Sequence, residues 1–359
     1  MATTQELTVP QAVPAKKTGS IKAQRFLGKF AALTLLTLGS ILVLMALVWM
    51  VSTSLKSEEA SSTFPIEWIP RDVEKITLGG ARSYFLYNIP VEGETKQWAM
   101  FRKRPGNEAI FVDPANPDNQ IQLPLEGLER VKTFNLHWEN YPRAMTQVPF
   151  LKYLQNTLLI VFTTTIGVVL SSTLVAYGFS RFRAPGLTIF FLILLSTIML
   201  PSQVTLIPQF ILFQRLGWYD TFYPLIVPAF FANAWNVFLL RQFFMSVPFE
   251  MDEAAKIDGA SPLGILWHIL IPQAWPALAT VAIFHFLWTW NDFFGPLIYI
   301  QTQTNWTVAL GLQSFRALYT RNLTGLMAAS TVTMLPCLLL FFVAQKLFIQ
   351  GVVVSGIKG

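Results

Sequence analysis

The side chains that could act chemically in this chain are few and fall into two groups. The first is Glu253-Ala254-Ala255 followed by Asp258-Gly259-Ala260, acids among small residues in a polar stretch from Val247 to Pro272 that separates two apolar runs. Small residues let another surface approach closely, and a carboxylate can pair with a cation on it, so this is the chemistry of docking rather than of bond breaking. The second group lies in or beside apolar runs: Asn156, Gln203, Asn233, Asn236, His285, Trp288, Asn291 and Asp292. These can hydrogen-bond or stack against a polar solute, or they can bond between membrane helices. Phe284, Trp288, Asn291 and Gly295 share one helical face by their spacing. Nothing catalytic converges. His137, His268 and His285 lack metal-ligand spacing, no G-x-x-x-x-G-K-[ST] is present to cradle a phosphate, and Lys17-Thr18-Gly19 has no partner serine motif. His285 with Asp292 is the one conceivable acid–base seed. No cofactor or metal is expected, and the chain is not read as an enzyme.

Composition indicates what positions these residues. Of 359 residues, 53% are hydrophobic and 13% charged, with a mean hydropathy of +0.47. A soluble domain carries roughly 25% charged residues, so the class is polytopic membrane protein. Six runs approach the ~20 residues that a spanning helix needs: about Phe30–Ser52, Leu154–Phe179, Leu187–Ile207, Thr221–Leu240, Trp275–Ile298 and Leu323–Phe348. Pro201 and Pro208 could bend or stop the third. With the amino terminus inside, eleven Lys/Arg fall in internal segments and five in short external ones. By the positive-inside rule both termini and the Val247–Pro272 stretch are cytoplasmic. Arg181 and Arg183 read as positive-inside anchors, and Trp218, Tyr219, Tyr223 and Trp235 as interfacial aromatics.

The expected organisation is a disordered cytoplasmic tail over 1–29, a first span over 30–52, an extracytoplasmic insert over 58–148, a five-span core over 150–348, and a cytoplasmic tail over 349–359. The insert holds ten Lys/Arg and thirteen Asp/Glu, whereas the rest of the chain is net +9. Strand-like runs at Ser83–Asn88, Lys96–Lys103, Ala109–Asp113 and Gln120–Leu123, punctuated by Pro105-Gly106-Asn107 and Asp113–Pro117, predict a small antiparallel β subdomain. The polar stretch reads as a helical hairpin. Pro248 and the acids after it open one short helix, Asp258-Gly259 ends it, Ser261-Pro262 caps the next, and Pro272 closes that one.

Several of these segments resemble a known family. Glu253-Ala254-Ala255, Asp258-Gly259-Ala260 and Ile271-Pro272 are similar to the EAA loop of permease subunits in binding-protein-dependent ABC importers. Ala176-Tyr177-Gly178 through Arg181 to Gly186, Phe238-Leu239-Leu240-Arg241-Gln242-Phe243-Phe244, Trp290-Asn291-Asp292-Phe293 with Pro296-Leu297, and the ending Gly351…Ser355-Gly356-Ile357-Lys358-Gly359 resemble elements of its carbohydrate branch, which includes the smaller maltose-type permease. The resemblance covers about 30–57 and 136–359 and leaves out the insert. It implies an all-α fold with six transmembrane helices in a bacterial or archaeal cytoplasmic membrane. It also implies two ABC ATPase subunits gripping the hairpins, a second homologous permease, and an extracytoplasmic binding protein that delivers a sugar or polyol. The tail from Ile349 would reach toward the ATPase. In the maltose system the sugar sits on the larger partner permease. Importers of amino acids or peptides, and an ATP-independent channel or carrier, are the alternatives.

Overall fold

The computed structural model describes residues 18–63, 67–78, 82–91, 93–317 and 322–356. They divide into two units, which meet in sequence at Met50 and Val51. The first unit is the body of helix α1 (Thr18–Ser54). Residues 18–29, expected to be disordered, are its opening turns. Lys, Ala, Gln, Arg and Leu there are good helix formers, and extending a helix already nucleated by the apolar run costs little. The rest of that expected tail, 1–17, lies outside the described residues.

The second unit opens with the insert. After the short helix α2 (Glu58–Ser61) come β1 (Arg71–Val73), β2 (Lys75–Leu78), β3 (Arg82–Val91), β4 (Glu94–Arg104), β5 (Glu108–Val112), β6 (Gln120–Pro124), β7 (Glu129–Arg130) and β8 (Lys132–Phe134). Strands β2 to β6 form an antiparallel meander, β7 adds to β3, and β1 pairs with β8. The four predicted strands are present as β3 to β6. The remaining four are too short to show a period of two. Alternation along β3 sends Tyr87 and Ile89 into one core with Trp98, Ala109 and Phe111, and Leu86 into another with Ala99 and Val131. The predicted turn holds Gly106 at φ +91° and Asn107 at φ +65°, left-handed positions that favour these residue types.

The two ends of the insert are sewn together at a neck. Asn140, buried at the start of α3 (Asn140–Gln147), donates from Nδ2 to the carbonyls of Ser54 (2.9 Å) and Lys56 (2.8 Å). The His137 amide donates to Leu55 O (3.0 Å). The His137 ring lies between Asp72 (Nε2 to Oδ2, 2.6 Å) and Glu139 (Nδ1 to Oε1, 2.5 Å).

The remaining chain is helical: α4 (Phe150–Arg181), α5 (Leu187–Ser196), α6 (Ser202–Arg215), α7 (Tyr223–Ile226), α8 (Ala234–Ser246), α9 (Glu250–Ile257), α10 (Pro262–Ile265), α11 (Ile271–Trp290), α12 (Phe294–Tyr299), α13 (Val308–Gly311), α14 (Ser314–Ala317) and α15 (Leu323–Gly356). Helix α4 packs on α8 and α11, and α11 packs on α15. The main core joins Val168, Ala176 and Tyr177 of α4, Val237, Leu240 and Phe244 of α8, and Ala274, Ala277, Leu278 and Val281 of α11. The alanines allow the close backbone approach that membrane helices use where lipid removes the hydrophobic drive. Gly311 serves the same end, because a Cβ there would lie 2.3 Å from the Tyr153 ring.

Among the described residues, five helices are long and apolar enough to cross a membrane, or six if α5 and α6 count as one span. The span bounds depart from expectation wherever proline acts. The third run is a pair bent by 98°, because Pro201 takes the extended N-cap position of α6, whereas Pro208 stays inside that helix. The fourth is interrupted by a 3₁₀ turn, Val227–Phe230, and runs to Ser246. The fifth starts at Pro262 and ends at Trp290, earlier than predicted at both ends. Pro272 does not close the hairpin's second helix. A π turn over Leu266–Leu270, closed by Ile271 N–H donating to Leu266 O, carries the helix past the missing proline N–H and into α11. Helix α15 continues to Gly356, through most of the expected tail, with Pro336 held inside it. Residues 357–359 lie outside the described residues.

The neck makes the insert pH-sensitive. Burial alone would lower the His137 pKa, but its bonds to Glu139 and Asp72 outweigh that and raise it. Because the folded-state value lies above the unfolded one, the stabilisation is complete below about pH 6.5 and fades as pH rises through the raised value. The protection of amides 135–139 from hydrogen exchange, taken relative to their intrinsic exchange rates at each pH, should therefore fall between neutral and alkaline pH in the wild type, and His137→Gln should remove that dependence.

Candidate functional site

The hairpin is built as a capped turn fixed to the bundle. Helix α9 ends in two bonds, Ala260 N–H to Ala255 O (2.9 Å) and Gly259 N–H to Lys256 O (3.0 Å), around Gly259 at φ +83°. This is the Schellman arrangement that the Asp258-Gly259 pair predicted. Ser261 then caps α10, its Oγ accepting from Gly264 N (3.2 Å). Glu253, Ala254, Asp258 and Gly259 are exposed and Ala260 is half-exposed. Ala255 instead faces inward, since helical periodicity turns it with Asp252 toward the bundle, so it is not a surface contact. Around the acids the hairpin also exposes Met251, Ile257 (87% accessible), Leu263 and Trp267.

What fixes the hairpin is the end of α4. Arg181 Nε lies 3.2 Å from Asp252 Oδ2, with the two side chains only 5% and 3% exposed. Its Nη2 donates to Val247 O (3.0 Å), and its guanidinium lies 5.5 Å from the Phe249 ring centre. Asp252 Oδ1 is buried without a hydrogen-bond partner, so the pair relies on the ionic contact. One turn earlier on α4, Tyr177 Oη donates to Pro262 O (2.8 Å). From α8, Arg241 Nε donates to Phe179 O (3.2 Å) while its guanidinium covers the Phe191 ring at 4.2 Å. Arg181 is therefore a buried brace and not a membrane-surface anchor, whereas Arg183 is exposed. The sequence marks Arg181 and Arg241 only as cations near span ends. Their carbonyl and carboxylate partners lie far away in the chain.

Nearer the insert end of the bundle lies a cavity of about 860 Å³, within the roughly 300–1,000 Å³ of ligand pockets. It is lined by α4, the break before α8, α8 itself and the end of α11. Of the predicted pathway residues, Asn233, Asn236, His285, Trp288 and Asp292 line it. Three do not. Asn156 is buried and donates to the carbonyls of Thr304 (2.8 Å) and Trp306 (3.0 Å), tying α4 to the loop before α13. Gln203 is exposed on α6. Asn291 falls past the last residue of α11 and folds back to Leu287 O (2.8 Å), because the helix stops at Trp290 and the predicted stripe stops with it.

The sequence missed Thr157, Thr164, Thr197, Thr289 and Thr307, which supply hydroxyls to the same wall. Thr157 and Thr164 stand seven residues apart on α4, the one periodic signal that could have been read. Trp235, read as interfacial, also lines the cavity. The Asn233 side chain caps α8 by accepting from Trp235 N (2.9 Å). Asp292 Oδ1 accepts from Gly295 N (3.0 Å), and a Cβ at 295 would meet Oδ2 at 2.5 Å. His285 pairs with Thr289 (3.3 Å) rather than with Asp292, so no acid–base dyad forms.

The family described as "Binding-protein-dependent transport system inner membrane component" matches residues 155–354. The arabinooligosaccharides transport system permease protein AraQ of Halalkalibacterium halodurans is 35% identical over 190 residues, 53% of this chain and 68% of the relative. The sn-glycerol-3-phosphate transport system permease protein UgpE of Salmonella choleraesuis is 32% identical over 251 residues, 69% of this chain and 86% of the relative. A crystal structure of a bacterial ABC transporter that imports the acidic polysaccharide alginate contains a chain of the same fold, with a TM-score of 0.65 and 20% identity over 93% of this chain and 99% of that one.

Arg181→Ala should destabilise the hairpin by about 3–5 kcal/mol, because Asp252 is left charged, buried and unpaired. Thermal unfolding and protease cleavage within 247–262 read this directly, and Arg181→Met with Asp252→Leu should recover most of the loss.

Proposed function

The chain belongs to the binding-protein-dependent transport system inner membrane component family, and from that premise we propose that it is one of two permease subunits of an ATP-driven carbohydrate importer. The observation that carries this reading is the hairpin, which is braced from beneath by buried contacts yet exposes an apolar and acidic outer surface. Ile257, Met251, Leu263 and Trp267 offer exposed apolar surface, which a soluble partner would cover.

In this reading the partner is an ABC ATPase subunit in the cytoplasm, and the charge bias supports a cytoplasmic hairpin and cytoplasmic termini. Ile257, Met251, Leu263 and Trp267 supply apolar burial, Ala254 allows close contact, and Glu253 and Asp258 set register against basic groups. ATP-driven closure of the ATPase pair would push on α9. The Arg181–Asp252 pair would pass that displacement to α4, and the unbroken helix from α10 into α11 would pass it to the cavity wall. Alternating access needs such a two-state element, biased by each ligand in turn.

The names of relatives that carry arabinooligosaccharides or sn-glycerol-3-phosphate support a carbohydrate or related polyol as cargo, delivered by an extracytoplasmic binding protein. Among the described residues the cavity wall carries hydroxyls, amides and aromatic faces, which suits such a solute. A second permease would close the other half of the route.

Replacing Glu253 and Gly259 together, as Glu253→Ala and Gly259→Val, removes one charge and forces a β-branched residue into a left-handed turn. Uptake by the reconstituted importer should fall by roughly tenfold or more, equivalent to at least about 1.4 kcal/mol of lost coupling, with membrane insertion unchanged. Wild-type uptake in that variant would sink the reading.

A further inference from the structure

The cavity wall has a charge character that the family alone does not set. Among its described lining residues there is no Lys and no Arg, and the one carboxylate is Asp292. Its other titratable lining group, His285, is already engaged with Thr289. Two helix N-termini on the cavity wall carry their own side-chain caps, the Asn233 carbonyl on Trp235 N at α8 and Thr307 Oγ1 on Leu310 N at α13. Several threonine hydroxyls spend their protons on the protein itself. Thr164 donates to Val161 O and Thr197 to Leu194 O, so these two present lone pairs rather than donors, whereas Thr157 donates to Tyr153 O and accepts from Val308 N and is already saturated. Asp292 Oδ1 is held by Gly295 N, which fixes the carboxylate in place.

Such a wall accepts hydrogen bonds from hydroxyls and stacks sugar faces on Trp235 and Trp288, but it gives an anionic cargo no counter-ion and one fixed like charge. We propose that this subunit's cavity passes uncharged glycans and discriminates against uronates and sugar phosphates, with Asp292 as the residue that sets the discrimination. The inference rests on the importer reading above and narrows its cargo. Relatives of the same fold are named for sn-glycerol-3-phosphate and for acidic alginate, so the fold leaves the cargo's charge open and the lining decides it.

The test reads the cavity's charge without needing cargo. In the assembled complex with Cys337→Ala, a reporter thiol is placed as Asn236→Cys. It is modified with methanethiosulfonates of three kinds: a neutral methyl, a cationic trimethylammonium-ethyl and an anionic sulfonatoethyl reagent. Each rate is normalised to that of a free thiol in solution. The cationic reagent should react roughly tenfold faster than the anionic one, as expected for a single unscreened carboxylate nearby. Asp292→Asn, which keeps the Oδ1 acceptor and so the cap on Gly295, should bring the ratio close to one. Equal rates in the wild type, a faster anionic reagent, an unchanged ratio in Asp292→Asn, or no labelling even by the neutral reagent would each overturn the proposal. Parallel uptake assays with a neutral oligosaccharide and its uronate counterpart separate the two claims. Failure to import either sugar counts against the importer reading, whereas equal import of both counts against the charge selectivity alone.

Discussion

Everything at the hairpin end of this molecule depends on one buried ion pair, Arg181 with Asp252. Two charges at that depth cost more in lost hydration than their attraction returns unless the geometry is completed around them. Here the completion is partial: Val247 O takes one guanidinium N–H, Phe249 covers the cation, and neither Arg181 Nε nor Asp252 Oδ1 has a hydrogen-bond partner. A pair of this kind is a poor source of net stability and a good source of register. It fixes where α9 sits on the end of α4, and removing either member leaves an uncompensated charge. Tyr177 on Pro262 and Arg241 on Phe179 extend the same logic to α10 and α8.

The other constraint is the bilayer's demand that backbone polar groups be satisfied within the protein. Irregular backbone is tolerated in a membrane only where it is buried or faces a polar cavity. The break between α7 and α8 obeys that rule, since Pro228, Ala229, Phe231 and Asn233 all line the cavity. The π turn at Leu266–Leu270 is the converse case. There the irregularity is hidden in the core, with Leu266 and Leu270 fully buried, and helix continuity is kept across Pro272. One break borders the cavity, and the other keeps the helix from α10 into α11 continuous.

The insert follows the physics of a small soluble β subdomain. Its long strands were legible because alternation and turn residues at Gly106-Asn107 act over a few positions. Its short strands and its neck were not. His137, Asp72 and Glu139 come from opposite ends of the insert, and no local pattern announces that they will meet.

By itself the sequence determined the membrane class, the apolar runs, the four long strands, both caps of the hairpin and the resemblance to importer permeases. Each of these is written in residue type and spacing over at most a few turns. It could not decide which proline breaks a helix. Pro201 ends one, Pro208 and Pro276 sit inside others, and Pro272 is bypassed, because the outcome depends on what surrounds the freed carbonyl. Nor could it tell Asn156, which bonds two loop carbonyls, from Asn236, which faces the cavity. Only the tertiary structure decided that Arg181 is a brace, that Ala255 turns inward and that five threonines join the wall. Those roles are set by partners distant in the chain, and side-chain chemistry alone does not specify who will be next to it.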